Sequence, residues 1–373
     1  MDYDLIVVGG GAGGIAAARA GVHRGARTLL VQDGPIGGDC TFTGCVPSKA
    51  LIEAAARGAS FADAMGAARR SIQSIAATET DEVFRCEGVE VLHGWAEFRA
   101  PATIDVDGRR FTGRRYVIAT GASPAIPSVE GLSDVDVLTN ENVFALDARP
   151  ASLAVIGGGA IGCELAQAFR RLGAQVTVVE ALDRLLPHGE AEASAVVAEL
   201  FEAEGIAVRT GAAVTKFEAR ERRGAARLHL ADGETVAVDR VLVAVGRRAV
   251  TDGLGLEAAG IETGDRGFIR TDATLRTTAR HSYAVGDIAG TVQLTHAAYE
   301  MGRIAAGNAL SRLSRRRFDP SFIPSVTYTT PEVARVGITE AEAAGRNGRV
   351  AYLPMTEVDR AVVAGETRAS SSS

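Results

Sequence analysis

The chain has 373 residues, 46% of them hydrophobic and 23% charged, enough for two or three soluble domains with cores of their own. A net charge of −6 leaves no general basic field for nucleic acid, and no apolar run is long enough to span a membrane. Four cysteines in so long a chain do not make a secreted disulfide scaffold, and the acidic start MDYDLIVVGG enters a strand directly rather than forming a signal peptide, so a cytoplasmic setting is expected. The one basic cluster, Arg312 with Arg315, Arg316 and Arg317, reads as a solvated surface beside a linker.

In chain order, the first element is an apolar, β-branched run, Leu5 to Val8, suited to a strand buried on both faces. It runs into Gly9-x-Gly11-x-x-Gly14, an Ala-rich helix, and a second apolar strand, Thr28 to Val31. In a dinucleotide-binding turn the first glycine makes the bend and the second admits the pyrophosphate. The third lets helix and strand pack, and the helix N-terminus offers free N–H groups to the phosphates. The acidic residue that usually ends the second strand is replaced by Gln32, with Asp33 adjacent, so the ribose contact here departs from the pattern.

Next comes GGDCTFTGCVPSKALIEAA, with Cys40 and Cys45 five positions apart. As a staple the pair would close a loop of six residues, worth only about 2 kcal/mol in the chain-entropy view, and a reducing cytosol would not maintain it. As a metal site it lacks the second ligand pair, and neither Cys86 nor Cys163 has the spacing to supply one, so no metal is expected. A redox pair fits the local physics best: Pro47 and the run Ser48 to Ala56 predict a helix beginning near Cys45, whose N-terminal dipole favours a thiolate. Gly37, Gly38 and Gly44 admit another group close to the backbone.

The strand–glycine–helix unit then recurs. LAVIGGGAIGCELAQAFRRLGAQVTVVE places Gly157, Gly159 and Gly162 after a strand from Leu153 to Ile156, 148 residues beyond the first copy. That offset is too long for a solenoid and predicts two similar domains, each with one dinucleotide. Here Glu180 ends the second strand, and its carboxylate suits two ribose hydroxyls while repelling a 2′-phosphate, which favours NADH over NADPH.

These residues carry a resemblance. GGDCTFTGCVPSK is similar to the active-site segment of the FAD-dependent pyridine nucleotide–disulfide oxidoreductases, the family of lipoamide dehydrogenase, glutathione reductase and mercuric reductase, and the likeness runs from residue 2 to about residue 365. YVIATGASPAIP, with Thr120 and Gly121, resembles the segment leaving the FAD domain, and VLVAVGRRAVTDGLGLE, with Gly246, resembles its NADH-domain counterpart. HSYAVGDIAG, with Gly286 and Asp287, resembles the second FAD segment, Asp287 standing where the ribityl and pyrophosphate region is bound. LTHAAYEMGRIAA resembles the helix under the flavin and gives His296 a binding position. By itself Asp287 would read as a turn or cap residue, and His296 as a capping or core histidine.

The resemblance implies a route in which NADH passes hydride to FAD and reduced flavin opens a Cys40–Cys45 disulfide, with Cys45 the flavin-side thiol and Cys40 the interchange thiol. It implies that Lys49 lies near the flavin, paired with Glu164, where a cation steadies the reduced anionic ring. Without it, Lys49 and Glu164 would read as an exposed lysine and an ordinary helical glutamate. Ala160 stands where some relatives have a gating tyrosine, which predicts a more open nicotinamide pocket.

FIPSVTYTTPEVARVGITEAEA resembles the start of the family's interface domain, with a strand from Ser325 to Tyr328 and a helix near Thr339 to Ala344, and the chain ends in RASSSS, a small polar tail. About half of that domain, including the His–Glu pair that serves thiol–disulfide interchange, is expected to be missing. This predicts a truncated chain with impaired turnover and exposed edge strands.

The fold class expected is α/β: two Rossmann-like dinucleotide-binding domains, for FAD and NAD, plus a partial α+β C-terminal interface domain. The boundaries expected are 1–147 with 272–318 for FAD, 148–271 for NAD(P), and 319–373 for the interface. The leading function is an NADH-linked, lipoamide dehydrogenase-like flavoenzyme acting on a small-molecule or protein-bound disulfide or dithiol. A mercuric reductase-like enzyme and a non-catalytic flavin- or nucleotide-binding remnant are the alternatives. The family implies a homodimer, and the shortened interface segment argues against one here.

Overall fold

The computed structural model describes residues 1–220, 224–264, 266–311, 313, 315–346, 348–365, 367 and 370–372. Arg312 of the basic cluster lies outside them, as do Arg368, Ala369 and Ser373 of the tail. The chain forms two compact units. Helices α1 (Ala12–Val22), α2 (Gly38–Phe42), α3 (Cys45–Ala56), α4 (Ala160–Arg171) and α5 (Thr295–Leu310) carry the candidate residues.

The first unit comprises residues 1–47, 70–123 and 247–320. Its centre is a parallel sheet of five strands, in the order Ser282–Ala284, Tyr116–Ile118, Leu5–Val8, Thr28–Gln32, Glu90–His93. Leu5–Val8 lies third of the five and is buried throughout, which is why four consecutive apolar residues could be read as a two-faced strand. α1 and α5 pack closely because both are glycine-bearing: a Cβ on Gly302 would overlap the Gly13 carbonyl oxygen. An antiparallel meander, Ala96–Ala100, Thr103–Val106 and Arg109–Thr112, adds Phe98, Ile104 and Val106 to a core that also takes in Ala249, Leu254, Leu256 and Ile269. Residues 247–271 therefore cluster with the first unit, whereas the expected boundary between nucleotide domains was at 272. Phe98 meets Tyr116 edge-on at 5.1 Å, and the Tyr116 hydroxyl accepts the Gly113 N–H at 2.8 Å. Arg315, Arg316 and Arg317 are exposed, in keeping with a solvated surface, although Arg316 also pairs with Glu300 at 3.3 Å.

The second unit comprises residues 48–69, 124–246 and 321–373. Its parallel sheet has four strands, in the order Ala207–Arg209, Gln175–Val179, Ser152–Ile156, Arg240–Val243, and a three-stranded meander, Val214–Ala219, Ala226–Leu230 and Thr235–Val238, builds a second core around Phe217 and Leu228. The main core joins Leu153, Val155, Phe169 and Phe201 to Leu51, Ala55 and Met65. In the C-terminal segment, Ser325–Thr327 pairs antiparallel with Val333–Arg335, one residue shorter than expected, so Tyr328 follows the strand. The helix there is Glu340–Ala344, started by Thr339 and Glu342 in a reciprocal capping box. The tail is not wholly without pattern: Ser370–Ser372 pairs antiparallel with Tyr352–Pro354.

Among the described residues no helix is long and apolar enough to cross a membrane.

Candidate functional site

The first glycine loop is held by main-chain bonds at every corner. Gly9 N–H donates to Val31 at 2.8 Å, Ala119 N–H to Val8 at 2.7 Å, and Ile15 N–H to Gly11 at 2.9 Å. Gly9 has φ +103°, which an L side chain rarely adopts, and a Cβ on Gly14 would overlap the Gly9 carbonyl oxygen. Gln32 closes the loop from the strand end: its Oε1 accepts the Gly10 N–H at 2.5 Å, and its Nε2 lies 3.3 Å from Asp33 Oδ1. Gln32 thus holds the loop's main chain with a neutral amide oxygen.

The cysteine segment is anchored to this loop. Gly37 N–H donates to Gly10 O at 2.9 Å, and a Cβ on Gly38 would come within 2.8 Å of the Gly11 Cα. Cys40 sits in α2, and Cys45 is the first residue of α3, where the free N–H groups of the helix start are found. Both cysteines are thiols here, Cys40 half-buried and Cys45 exposed. The Cys40 thiol is pushed well above the ordinary thiol range, first by its hydrogen bond with Cys45 and then by burial, while Thr295 pulls the other way. Cys45 Sγ lies 3.3 Å from Thr295 Oγ1 at the start of α5. His296 is the next residue of α5 and is exposed.

Thr120 and Gly121 are bound to a neighbouring strand end, with Thr120 Oγ1 donating to Val250 O at 2.9 Å and Val250 N–H to Gly121 O at 3.1 Å. Gly286 and Asp287 open a short 3-10 turn. Burial raises the Asp287 carboxyl, and Arg247 opposes the rise from 3.1 Å away. Arg247 also pairs with Asp39 and donates to the Ala122 carbonyl. The glycine face of the first loop stays open: Gly11 has only the Gly38 Cα, 3.9 Å from where its Cβ would be. An open, N–H-rich face with no side chains in the way suits an FAD pyrophosphate.

The second glycine loop repeats the first. Gly157 N–H donates to Val179 at 2.8 Å, Ala244 N–H to Ile156 at 2.8 Å, and Cys163 N–H to Gly159 at 2.9 Å. Gly157 has φ +108°, and a Cβ on Gly162 would overlap the Gly157 carbonyl oxygen. Nothing lies within 4 Å of where a Cβ on Gly159 would be, which suits a second pyrophosphate. Glu180, 8% exposed, accepts the Gly158 N–H at 2.6 Å on one oxygen and the Leu182 N–H at 2.8 Å on the other. Each carboxylate oxygen keeps lone pairs for hydroxyl donors and has none to offer a phosphate but repulsion. Gly246, at φ +128°, accepts from Ala125 N–H at 2.9 Å through its carbonyl.

In the same unit Lys49, on α3, donates to Glu164 Oε2 of α4 at 2.7 Å. Glu164 is 5% exposed, and its other oxygen accepts the Tyr328 N–H at 3.0 Å. Burial pushes the Cys163 thiol beside it up to about 12, which marks Cys163 as an inert core thiol.

Three residues at these sites were not singled out in the sequence. Arg247 lies inside the VGRR phrase, but no spacing rule marks it. Thr295 is one of many threonines, and its only signal is its place at the start of a helix. Tyr328 acts in part through its backbone, which no side-chain pattern can reveal. Among the described residues, no group of three or more His, Cys, Asp or Glu is placed to hold a metal ion.

Comparison with known proteins agrees with this geometry. Residues 3–302 match the family described as pyridine nucleotide-disulphide oxidoreductase, and residues 323–370 match its dimerisation domain. The chain is 38% identical to a dihydrolipoyl dehydrogenase of Thermus scotoductus, over 97% of this chain and 82% of that one. It is 35% identical to a mercuric reductase of Staphylococcus aureus, over 98% and 70%. Among solved structures, the HOCl-induced flavoprotein disulfide reductase RclA from Escherichia coli superposes with a TM-score of 0.90 at 28% identity, covering 99% of this chain and 86% of that one. The chain belongs to the pyridine nucleotide-disulphide oxidoreductases, FAD-dependent enzymes that take electrons from NAD(P)H and act on sulfur groups.

Proposed function

We propose that this protein is an NADH-linked disulfide oxidoreductase of the dihydrolipoyl dehydrogenase type, working through Cys40 and Cys45. The observation that carries the reading is the cysteine segment itself. Two thiols in hydrogen-bond contact, one at a helix start, are anchored by Gly37 and Gly38 to a dinucleotide-type glycine loop. FAD, when bound, supplies two-electron transfer between nicotinamide and disulfide.

The chain's own residues divide the remaining work. Gly9, Gly11, Gly14, Gln32, Asp33, Gly38, Thr120, Gly121, Gly286, Asp287 and His296 are read as the FAD set. Gly157, Gly159, Gly162, Glu180 and Gly246 are read as the NAD set, with Glu180 favouring NADH. Cys45 stands exposed at the start of α3 beside Thr295, while Cys40 is half-buried with its thiol raised, so Cys45 is read as the flavin-side thiol and Cys40 as the interchange thiol. Lys49, fixed by Glu164, is read as the cation that serves the reduced flavin. The division proposed is by nucleotide rather than by packing: FAD on 1–147 with 272–318, NAD on 148–271 although 247–271 packs with the first unit, and an interface segment on 319–373. A homodimer and a dithiol or disulfide substrate in the cytoplasm complete the proposal, the dimer resting on the dimerisation-domain match.

Anaerobic titration with NADH tests it. A long-wavelength absorbance band is expected to grow with reduction and to vanish in Cys45→Ser. Purified protein without flavin, or a band that survives Cys45→Ser, would overturn the reading. Likeness to mercuric reductases supports a second substrate, mercuric ion, and comparing mercuric-ion-dependent NADH oxidation with dihydrolipoamide oxidation decides between them.

A further inference from the structure

We propose that Tyr328 is a positioning residue for Lys49, acting through two contacts, neither of which uses its hydroxyl. This rests on the reading of Lys49 as the cation that serves the flavin. A carboxylate as buried as Glu164 needs a partner on each oxygen. Lys49 provides one, and the Tyr328 main-chain N–H provides the other. The Tyr328 ring then covers the ammonium: Lys49 Nζ lies 4.5 Å from its centroid. The lysine head is therefore held by an anion and by a π face, and both restraints come from or depend on one residue.

The rest of the local structure holds Tyr328 still. Two residues on, Thr330 N–H donates to Gln167 Oε1 at 2.8 Å, and Gln167 Nε2 donates back to Thr330 O at 3.1 Å. Arg171 Nη1 donates to Thr330 Oγ1 at 2.8 Å and is itself paired with Glu204 at 2.7 Å. Glu164, Gln167 and Arg171 stand at helical spacings of three and four, so one face of α4 grips the 328–330 segment along its length. That same helix begins at the second glycine loop. Tyr328 thus couples the position of the lysine to the helix that starts at the nicotinamide-type site.

A phenylalanine satisfies both contacts, and a leucine keeps the N–H but removes the π face. Competitive acetylation with limiting acetic anhydride, read at Lys49 by mass spectrometry, reports how firmly the ammonium is held. In Tyr328→Leu, Lys49 labelling is expected to rise about threefold, while Tyr328→Phe stays at the wild-type value. Gln167→Leu, which removes the two hydrogen bonds to Thr330, is expected to raise it about twofold by loosening the segment. Equal labelling in wild type and Tyr328→Leu overturns the proposal. The rate of flavin reduction by NADH, measured in the same holoenzymes, separates the two claims. A fall in Tyr328→Leu restored in Tyr328→Phe supports both, and higher labelling with an unchanged rate supports the positioning role while removing the one read for Lys49.

Discussion

The two glycine loops solve one backbone problem with different chemistry. Bond for bond they match: strand to first glycine, following strand to loop, second glycine to helix, each within about 0.1 Å of its counterpart. Each needs an acceptor for the N–H after the first glycine, and the strand-end side chain provides it at 2.5 Å from Gln32 and 2.6 Å from Glu180. Neutral amide and carboxylate do this equally well. The geometry therefore demands an oxygen, and the charge is left free to act on the ligand. In the second loop the charge is retained and held doubly by Leu182 N–H. In the first it is absent, and the loop is instead tied to the cysteine segment through Gly37.

The largest effects should come from breaking what the loops share. Gly14→Ala and Gly162→Ala each drive a methyl into a carbonyl oxygen that the hydrogen-bond ladder holds in place. Each variant is expected to lose about 3 kcal/mol or more of stability, read as a lowered denaturation midpoint of the holoenzyme. If one tolerates alanine while the other does not, the loops differ in rigidity, and the match in hydrogen bonds is superficial.

A smaller effect should separate them. Glu180→Gln keeps an oxygen for Gly158 N–H and removes the charge, at the cost of turning an amide NH2 toward the Leu182 N–H, which loses its acceptor. The preference for NADH over NADPH in kcat/KM is expected to shrink about tenfold, roughly 1.4 kcal/mol of lost discrimination, while the Leu182 N–H left without its acceptor lowers stability by about 1 kcal/mol. The reverse change, Gln32→Glu, should alter FAD retention and leave nicotinamide preference alone. An unchanged NADH preference in Glu180→Gln would show that the charge does not set the choice of nucleotide.

How much of this was legible follows from where the constraints act. Gly9, Gly14, Gly157 and Gly162 could be read from spacing because steric overlap leaves only glycine there. The buried strands Leu5–Val8 and Ser152–Ile156 were legible because both faces are apolar. Gln32 is a departure that spacing reveals, but spacing does not show that its amide oxygen holds the Gly10 N–H. The division of the chain was harder. Residues 247–271 pack on Phe98 and Ile104 of the first unit, and a contact between segments so far apart in sequence leaves no local pattern. Thr295, Arg247 and Tyr328 escaped for the same reason, since each matters through a partner distant along the chain.

The finest test concerns what only the first loop has, the cysteine pair. Cys40 is held protonated by Cys45 and by burial, so in the reduced protein its alkylation by iodoacetamide should stay slow through the ordinary thiol range and rise only at higher pH. The sign follows from a raised value: the reactive thiolate is scarcer at any given pH than in a free cysteine. Cys45→Ala removes the first cause and should speed Cys40 labelling at fixed pH. Thr295→Val acts on the same pair in the opposite sense, because its hydroxyl lowers the Cys40 value and contacts Cys45 Sγ. Losing one hydrogen bond of about 1 kcal/mol should slow labelling of Cys40 about fivefold. If Thr295→Val leaves the Cys40 labelling rate unchanged, the hydroxyl does not tune that thiol, and the contact with Cys45 together with burial must account for its raised value.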